Sequence, residues 1–252
     1  MSSLNQDILF LIFEALKDDS DALYSCILVN KTWFKIAIPI LWRDPRNYKA
    51  QFEVIVSHLS DEAKNNVRRT GTALPNIKQK MTFNYYKFIR YLYLDESRYL
   101  SALPTIENTE ARNVLLAEIY KLFINNNSRF KYVFLGKLFN YYVHLLPGAK
   151  HCFSTVEHIC CSFKADPIVI ERILGFNRSI KKLECTYDHH DASMFARLIN
   201  NQTNLIEIGL DFSSYEGDEE NEQLANMAVE TSLIKHANSL KHLRISWQPT
   251  ID

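Results

Sequence analysis

The chain has no surplus of charge of either sign, because its 29 basic and 29 acidic side chains cancel. Bulk attraction to nucleic acid or an anionic membrane needs an excess of Lys and Arg, so neither is expected as a partner. No apolar run is long enough to span a bilayer, and the run Ile8 to Phe13 is cut short by Glu14. The opening MSSLNQD lacks the positive charge that begins a secretory signal. Glycine is scarce. Its six copies never reach the G-x-x-x-x-G-K-[ST] or G-x-G-x-x-G spacing that cradles phosphates, and no cofactor is expected. The five cysteines, Cys26, Cys152, Cys160, Cys161 and Cys185, form an odd, irregular set. That excludes a regular disulfide framework and suits a reducing compartment, so the expected location is cytoplasmic or nuclear. No pair has the C-x2–4-C spacing of a structural zinc site, and no metal is expected despite His151, His158, His189 and His190 nearby.

What is present describes a folded chain: 252 residues, 47% hydrophobic and 23% charged. Residues 1–45 have helical periodicity. Leu4, Ile8, Ile12 and Leu16 recur every four residues, with Leu9 and Phe13 widening the stripe. Asp18-Asp19-Ser20-Asp21 breaks this helix and caps a second, which carries Leu23, Cys26, Ile27 and Leu28. Asn30 is placed to cap a third helix with Trp33, Phe34 and Ala37, which Pro39 should stop or kink. Three short helices make a very small core, and Trp33 and Trp42 add more apolar surface than it can hide. The surplus is expected to face another protein.

Residues 46–84 read as a bridge, with one helix through Phe52, Ile55, Val56 and Leu59. Residues 85–252 repeat the phrase apolar-x-x-apolar-x-apolar, starting at Ile89, Phe130, Val156, Ile180, Leu205 and Leu240. The three middle spacings of 26, 24 and 25 residues fall in the leucine-rich-repeat range of roughly 20–29. Helical patterns lie between the phrases: Val114, Leu115, Ile119, Leu122 and Phe123; Pro167 to Leu174; Met194, Phe195, Leu198 and Ile199; and Leu224, Met227, Ala228 and Ile234. The expected fold class is therefore α/β: three N-terminal helices followed by an irregular leucine-rich-repeat solenoid.

Period-2 alternation then divides each phrase into inward and outward side chains. Leu92 and Leu94 point inward, while Tyr91, Tyr93 and Asp95 face the open side. The following strands add Tyr132 and Phe134, His158 and Cys160, and then Lys182, Glu184 and Thr186. The last two add Glu207 and Asp211, then His242, Arg244 and Ser246. Outward aromatics are unusual without a partner, so Tyr91, Tyr93, Tyr132 and Phe134, with Glu207, Asp211 and Arg244, are candidate target-binding residues. The acids from Asp211 to Glu222 suit a helix N-terminus, the alternative being a dock for a basic segment of a target. No helix pattern follows the last phrase, so its apolar edge is covered either by a tail around Trp247 and Pro249 or by something else.

The N-terminal segment resembles an F-box, the adaptor-binding module of cullin–RING ubiquitin ligases. Its first half is carried by Leu4, Asn5, Asp7, Ile8, Leu9, Ile12, Phe13 and Leu16. Its second half is carried by Leu23, Ile27, Leu28, Val29, Asn30, Lys31 and Trp33, closed by Pro39-Ile40-Leu41-Trp42. The whole chain resembles F-box proteins of the fungal type that carry degenerate leucine-rich repeats. The resemblance implies a non-catalytic substrate-recognition subunit of an SCF-type ligase. Leu4, Ile8, Leu9, Ile12, Phe13, Val29, Trp33 and Trp42 would contact a Skp-type adaptor and, through it, a cullin, while the repeats hold an unidentified target protein. Asn5 stands where proline is usual and Asn30 where cysteine is usual. Those departures leave open an F-box-like scaffold that recruits no cullin. A third reading is a hydrolase built on the His, Cys and Asp cluster that includes Asp188-His189-His190-Asp191, which requires those groups to converge.

Overall fold

A computed structural model describes residues 5–45, 48–71, 74, 83–96, 106, 108–136, 142–162, 165–187, 192–213 and 219–248. Leu4, Pro75, Asp188-His189-His190-Asp191 and Pro249 lie outside the described residues. The chain is α/β, with N-terminal helices followed by alternating β-α units that build an open, all-parallel sheet of six strands. It divides into two compact units. One comprises residues 1–91 and 101–123, the other residues 92–100 and 124–252.

The first unit begins with α1 (Gln6–Ala15), α2 (Ser20–Ile27) and α3 (Lys31–Leu41). Each has the side-chain cap its sequence calls for. Asn5 accepts from the Asp7 N–H at 3.2 Å, and Asp19 from the Ala22 N–H at 2.9 Å. Asn30 accepts from the Thr32 and Trp33 N–H groups at 2.9 and 3.0 Å. Such caps occupy the N–H groups that a helix leaves unpaired at its start. Pro39 does not stop α3, which runs on to Leu41. Only Ile40 and Leu41 follow it in the helix, so the proline forgoes one backbone hydrogen bond close to the helix end.

Two further helices follow. The bridge forms the expected helix α4 (Tyr48–Ser57), burying Phe52, Ile55 and Val56, and then α5 (Asp61–Arg68), which Ser60 caps. A 3-10 turn, Tyr85–Phe88, stacks Tyr85 on Trp42 with ring centroids 4.9 Å apart. Helix α6 (Thr109–Phe123) also belongs to this unit and contacts α5, with Asn66 donating to Glu118 at 3.0 Å.

The second unit holds the repeated phrases. β2 (Tyr132–Leu135), β3 (His158–Cys161), β4 (Lys182–Tyr187), β5 (Glu207–Ser213) and β6 (His242–Gln248) pair in parallel with the phrases in register. Val133, Ile159, Leu183 and Ile208 form one inner rung, and Leu135, Cys161, Cys185 and Leu210 the next, all fully buried. Helices cross back between the strands: the short α7 (Ala149–Phe153), then α8 (Pro167–Gly175), α9 (Ala192–Asn200) and α10 (Glu219–Ile234). Parallel pairing needs such return segments. Backbone hydrogen bonds tie the strand starts together. Glu157 N–H donates to Lys131 O, Lys181 N–H to Glu157 O, Ile206 N–H to Lys181 O and Lys241 N–H to Ile206 O, at 2.8–2.9 Å. β1 (Tyr91–Leu94) lies beyond β2, where the Gly136 N–H donates to the Leu94 carbonyl at 2.9 Å.

Among the described residues no helix is long and apolar enough to cross a membrane.

Candidate protein-binding surfaces

In the first unit α1 carries apolar residues on both sides of its axis. Leu9 and Phe13 are sealed, and Phe13 meets Trp33 edge-on at 5.1 Å. Trp42 is sealed as well. These three were expected to face a partner. Instead they close the unit's own core with Leu23, Ile38 and Leu41, because three helices this short cannot cohere without their largest side chains. Ile8 and Ile12 stay exposed, as does Val29, while Trp33 is half-buried. The exposed surface is wider than the sequence suggested. It includes Phe10, Leu11 at 62% exposure, Tyr24, and Leu28 at 84%. Beside it, Ile27, Leu28, Phe34 and Phe83 line a hollow of about 360 Å³ with Lys31 and Lys35. Phe83, which packs against Phe34 at 4.9 Å, gave no signal in the sequence because it lies outside every periodic segment.

The ends of these helices are clamped by charge. Arg43 donates from Nη1 and Nη2 to the two Glu14 carboxylate oxygens at 2.5 and 2.7 Å. The Glu14 hydrogen bond raises the Arg43 guanidinium above its ordinary value, against the opposing effect of burial. The Arg43 carbonyl accepts from the N–H groups of Arg90 and Tyr91 at 2.8 and 3.1 Å.

In the second unit the outer face of the sheet changes character along its width. Tyr93 was expected to be open to solvent but is only 6% exposed, because its neighbours cover it. Tyr132 lies 5.6 Å from its ring and Phe134 6.3 Å, and Tyr132 meets His158 edge-on at 4.7 Å. Tyr91, Tyr132 and Phe134 are half-buried. The aromatics form a packed row, with part of its surface open.

Beyond His158 the face is ionic. His158 Nε2 lies 2.6 Å from Glu184 Oε2. Lys182 lies 3.3 Å from Glu184 and 2.8 Å from Glu207. That contact is the main reason Lys182 is raised and Glu207 lowered from their ordinary values. Gly209 makes one long reach possible. It sits between Glu184 and Arg244 in register, and a Cβ there would come within 3.2 Å of the Arg244 Nη2 and 3.3 Å of the Glu184 Cγ. With no side chain in the way, Arg244 crosses β5 to lie 3.6 Å from Glu184 and 3.6 Å from Asp211, which also accepts from the Ser246 hydroxyl.

Of the groups suggested for hydrolysis, Asp188, His189, His190 and Asp191 lie outside the described residues. His158 and Glu184 form an acid–base pair, and Cys160 shares their face. Burial, then Cys161 and Glu184, push the Cys160 thiol up to about 12, opposite to what a nucleophilic thiolate needs. Burial pushes Cys152 up to about 11, and Cys185 is also raised. Among the described residues no three His, Cys, Asp or Glu side chains are placed to hold a metal ion.

No protein-family model matches the chain, and a comparison with curated proteins finds no match, so the geometry itself carries the functional argument.

Proposed function

We propose that this chain is the substrate-recognition subunit of an SCF-type cullin–RING ubiquitin ligase. In this reading residues 1–45 are an F-box that binds a Skp-type adaptor. The β-α units are an irregular leucine-rich-repeat solenoid that holds a target protein. The chain performs no chemistry. It keeps target and ligase at a fixed separation, so that effective concentration drives transfer by the rest of the complex.

The observation that carries the reading is the apolar surface left after the helical core has closed. Ile8, Leu11, Ile12, Leu28 and Val29 are exposed although Leu9, Phe13 and Trp42 are sealed. Each such side chain contributes roughly 1.5–3 kcal/mol when a partner buries it, so a few suffice for a specific contact. Asn5 and Asn30, the two departures from the F-box pattern, both serve as helix caps, which favours an intact helical unit.

Capture of the full chain by a purified Skp-type adaptor tests this. The wild-type chain should be retained, and a Leu11→Glu, Leu28→Glu double variant should be lost while its unfolding midpoint stays unchanged. Failure of the folded wild-type chain to bind any Skp-type adaptor would leave the alternative, an interaction scaffold that recruits no cullin.

A further inference from the structure

Strand β6 is left incomplete in three respects along one edge. Its backbone is paired to β5 on one side, and the strand order puts it at the margin of the sheet, so its other edge has no ladder partner among the described residues. Its inner side chains are also uncovered. Leu243 is 49% and Ile245 42% exposed, although their register partners Ile208 and Leu210 are sealed. Met227 and Ile234 on α10, the helix leading to this strand, are exposed too.

The third respect is charge. Along one outer rung Lys182 and Glu207 are opposite in sign, and the imidazole of His242 follows at the margin. On the next outer rung Glu184 is followed by Gly209 and Arg244. Both rungs therefore end at the margin on a basic group, and Lys241 precedes them. Arg244 remains 63% exposed despite its two contacts at 3.6 Å.

We propose that β6 receives a seventh strand from a partner protein, an extended segment in which acidic and aliphatic residues alternate. Its backbone completes the ladder. Its carboxylates pair with Arg244 and accept from the His242 ring N–H, and its aliphatic side chains cover Leu243 and Ile245. A second copy of this chain fits less well. Antiparallel pairing of β6 with itself would put two copies of Arg244 on one face, where like charges repel. The proposal rests on the target-binding half of the function above and is independent of the adaptor.

Fluorescence anisotropy with the full chain tests it, using two labelled peptides: one alternating Glu with Val and Ile, the other alternating Lys with the same aliphatics. The acidic peptide should bind at least about tenfold more tightly than the basic one. Arg244→Glu should reverse that preference, and Ile245→Asp should abolish binding of both, with melting curves confirming that each variant is folded. Equal affinity for the two peptides, or no binding of either by folded protein, overturns the proposal. Light scattering that finds the unmixed chain dimeric, and monomeric after Ile245→Asp, assigns the edge to a second copy and overturns it as well. Adaptor capture run on the same samples separates the two ideas. Its failure alongside a discriminating peptide response removes the ligase reading and leaves the strand site standing.

Discussion

At the scale of single residues, three positions do work that their neighbours cannot take over. Arg43 holds Glu14 through a two-pronged contact about one-third exposed, so truncating either partner should lower the unfolding free energy by about 1 kcal/mol in urea titration. Asn30 caps α3 through two N–H groups, and Asn30→Ala should cost about 1 kcal/mol by the same measurement. Gly148 has φ +91° ahead of α7, and an added Cβ would sit 2.6 Å from the Asn125 carbonyl carbon. Gly148→Ala therefore carries both backbone strain and a clash with main chain that cannot swing aside, and it should be the most damaging of the three. Asn30 was legible because a cap residue before an apolar helix has a local signature. The Arg43–Glu14 clamp was not legible, since nothing in a sequence pairs two charges 29 positions apart.

At the scale of elements, the strands were read more accurately than the helices. Period 2 assigns every strand residue to one of two faces, and the inner positions of the phrases align from β2 to β6. A helix offers no such binary choice. The stripe on α1 spans Ile8, Leu9, Ile12 and Phe13, and only packing decides that the Leu9–Phe13 side is buried while Ile8 and Ile12 are left outside. Phe13→Ala should accordingly cost about 3–5 kcal/mol, whereas Ile12→Ala should stay within about 0.5 kcal/mol. Comparable losses from both in urea titration would mean the buried face has been misassigned. The same ambiguity affects α10, where the pattern through Leu224, Met227, Ala228 and Ile234 names no buried side, and Met227 and Ile234 are exposed. α5 opens on a recognisable helix start, Ser60-Asp61-Glu62, but its eight residues are too few to show a convincing apolar period.

At the scale of the molecule, the two compact units share a dependence on pH that follows from half-buried imidazoles. Burial lowers His58 in the first unit, with Lys64 adding to it. Burial also lowers His144 and His158 in the second, outweighing Asp166 near His144 and the Glu184 hydrogen bond to His158. A histidine whose folded value lies below its unfolded value of about 6.5 binds protons more readily when the chain is open. Its stabilising contribution is therefore full above that value and is lost as pH falls through it toward the folded value. The thermal midpoint should drop between pH 7 and pH 5, and replacing His158 with Gln should flatten the decline in part. Assignment of α6 to the first unit was beyond the sequence, which placed this helix between two repeat phrases. Its tie to that unit comes from Asn66 and α5, and contacts so distant along the chain leave no periodic trace. Arg43 and Arg90 have a further consequence in this respect. The backbone bond between them pins together the two ends of a long intervening segment, which becomes a closed loop rather than a tether. Entropy penalises added length in such a loop only logarithmically, about 0.6 kcal/mol for each doubling. Gly71, which is exposed with nothing within 4 Å of where a side chain would start, marks the place in that loop where an inserted tag or reporter meets no packed neighbour.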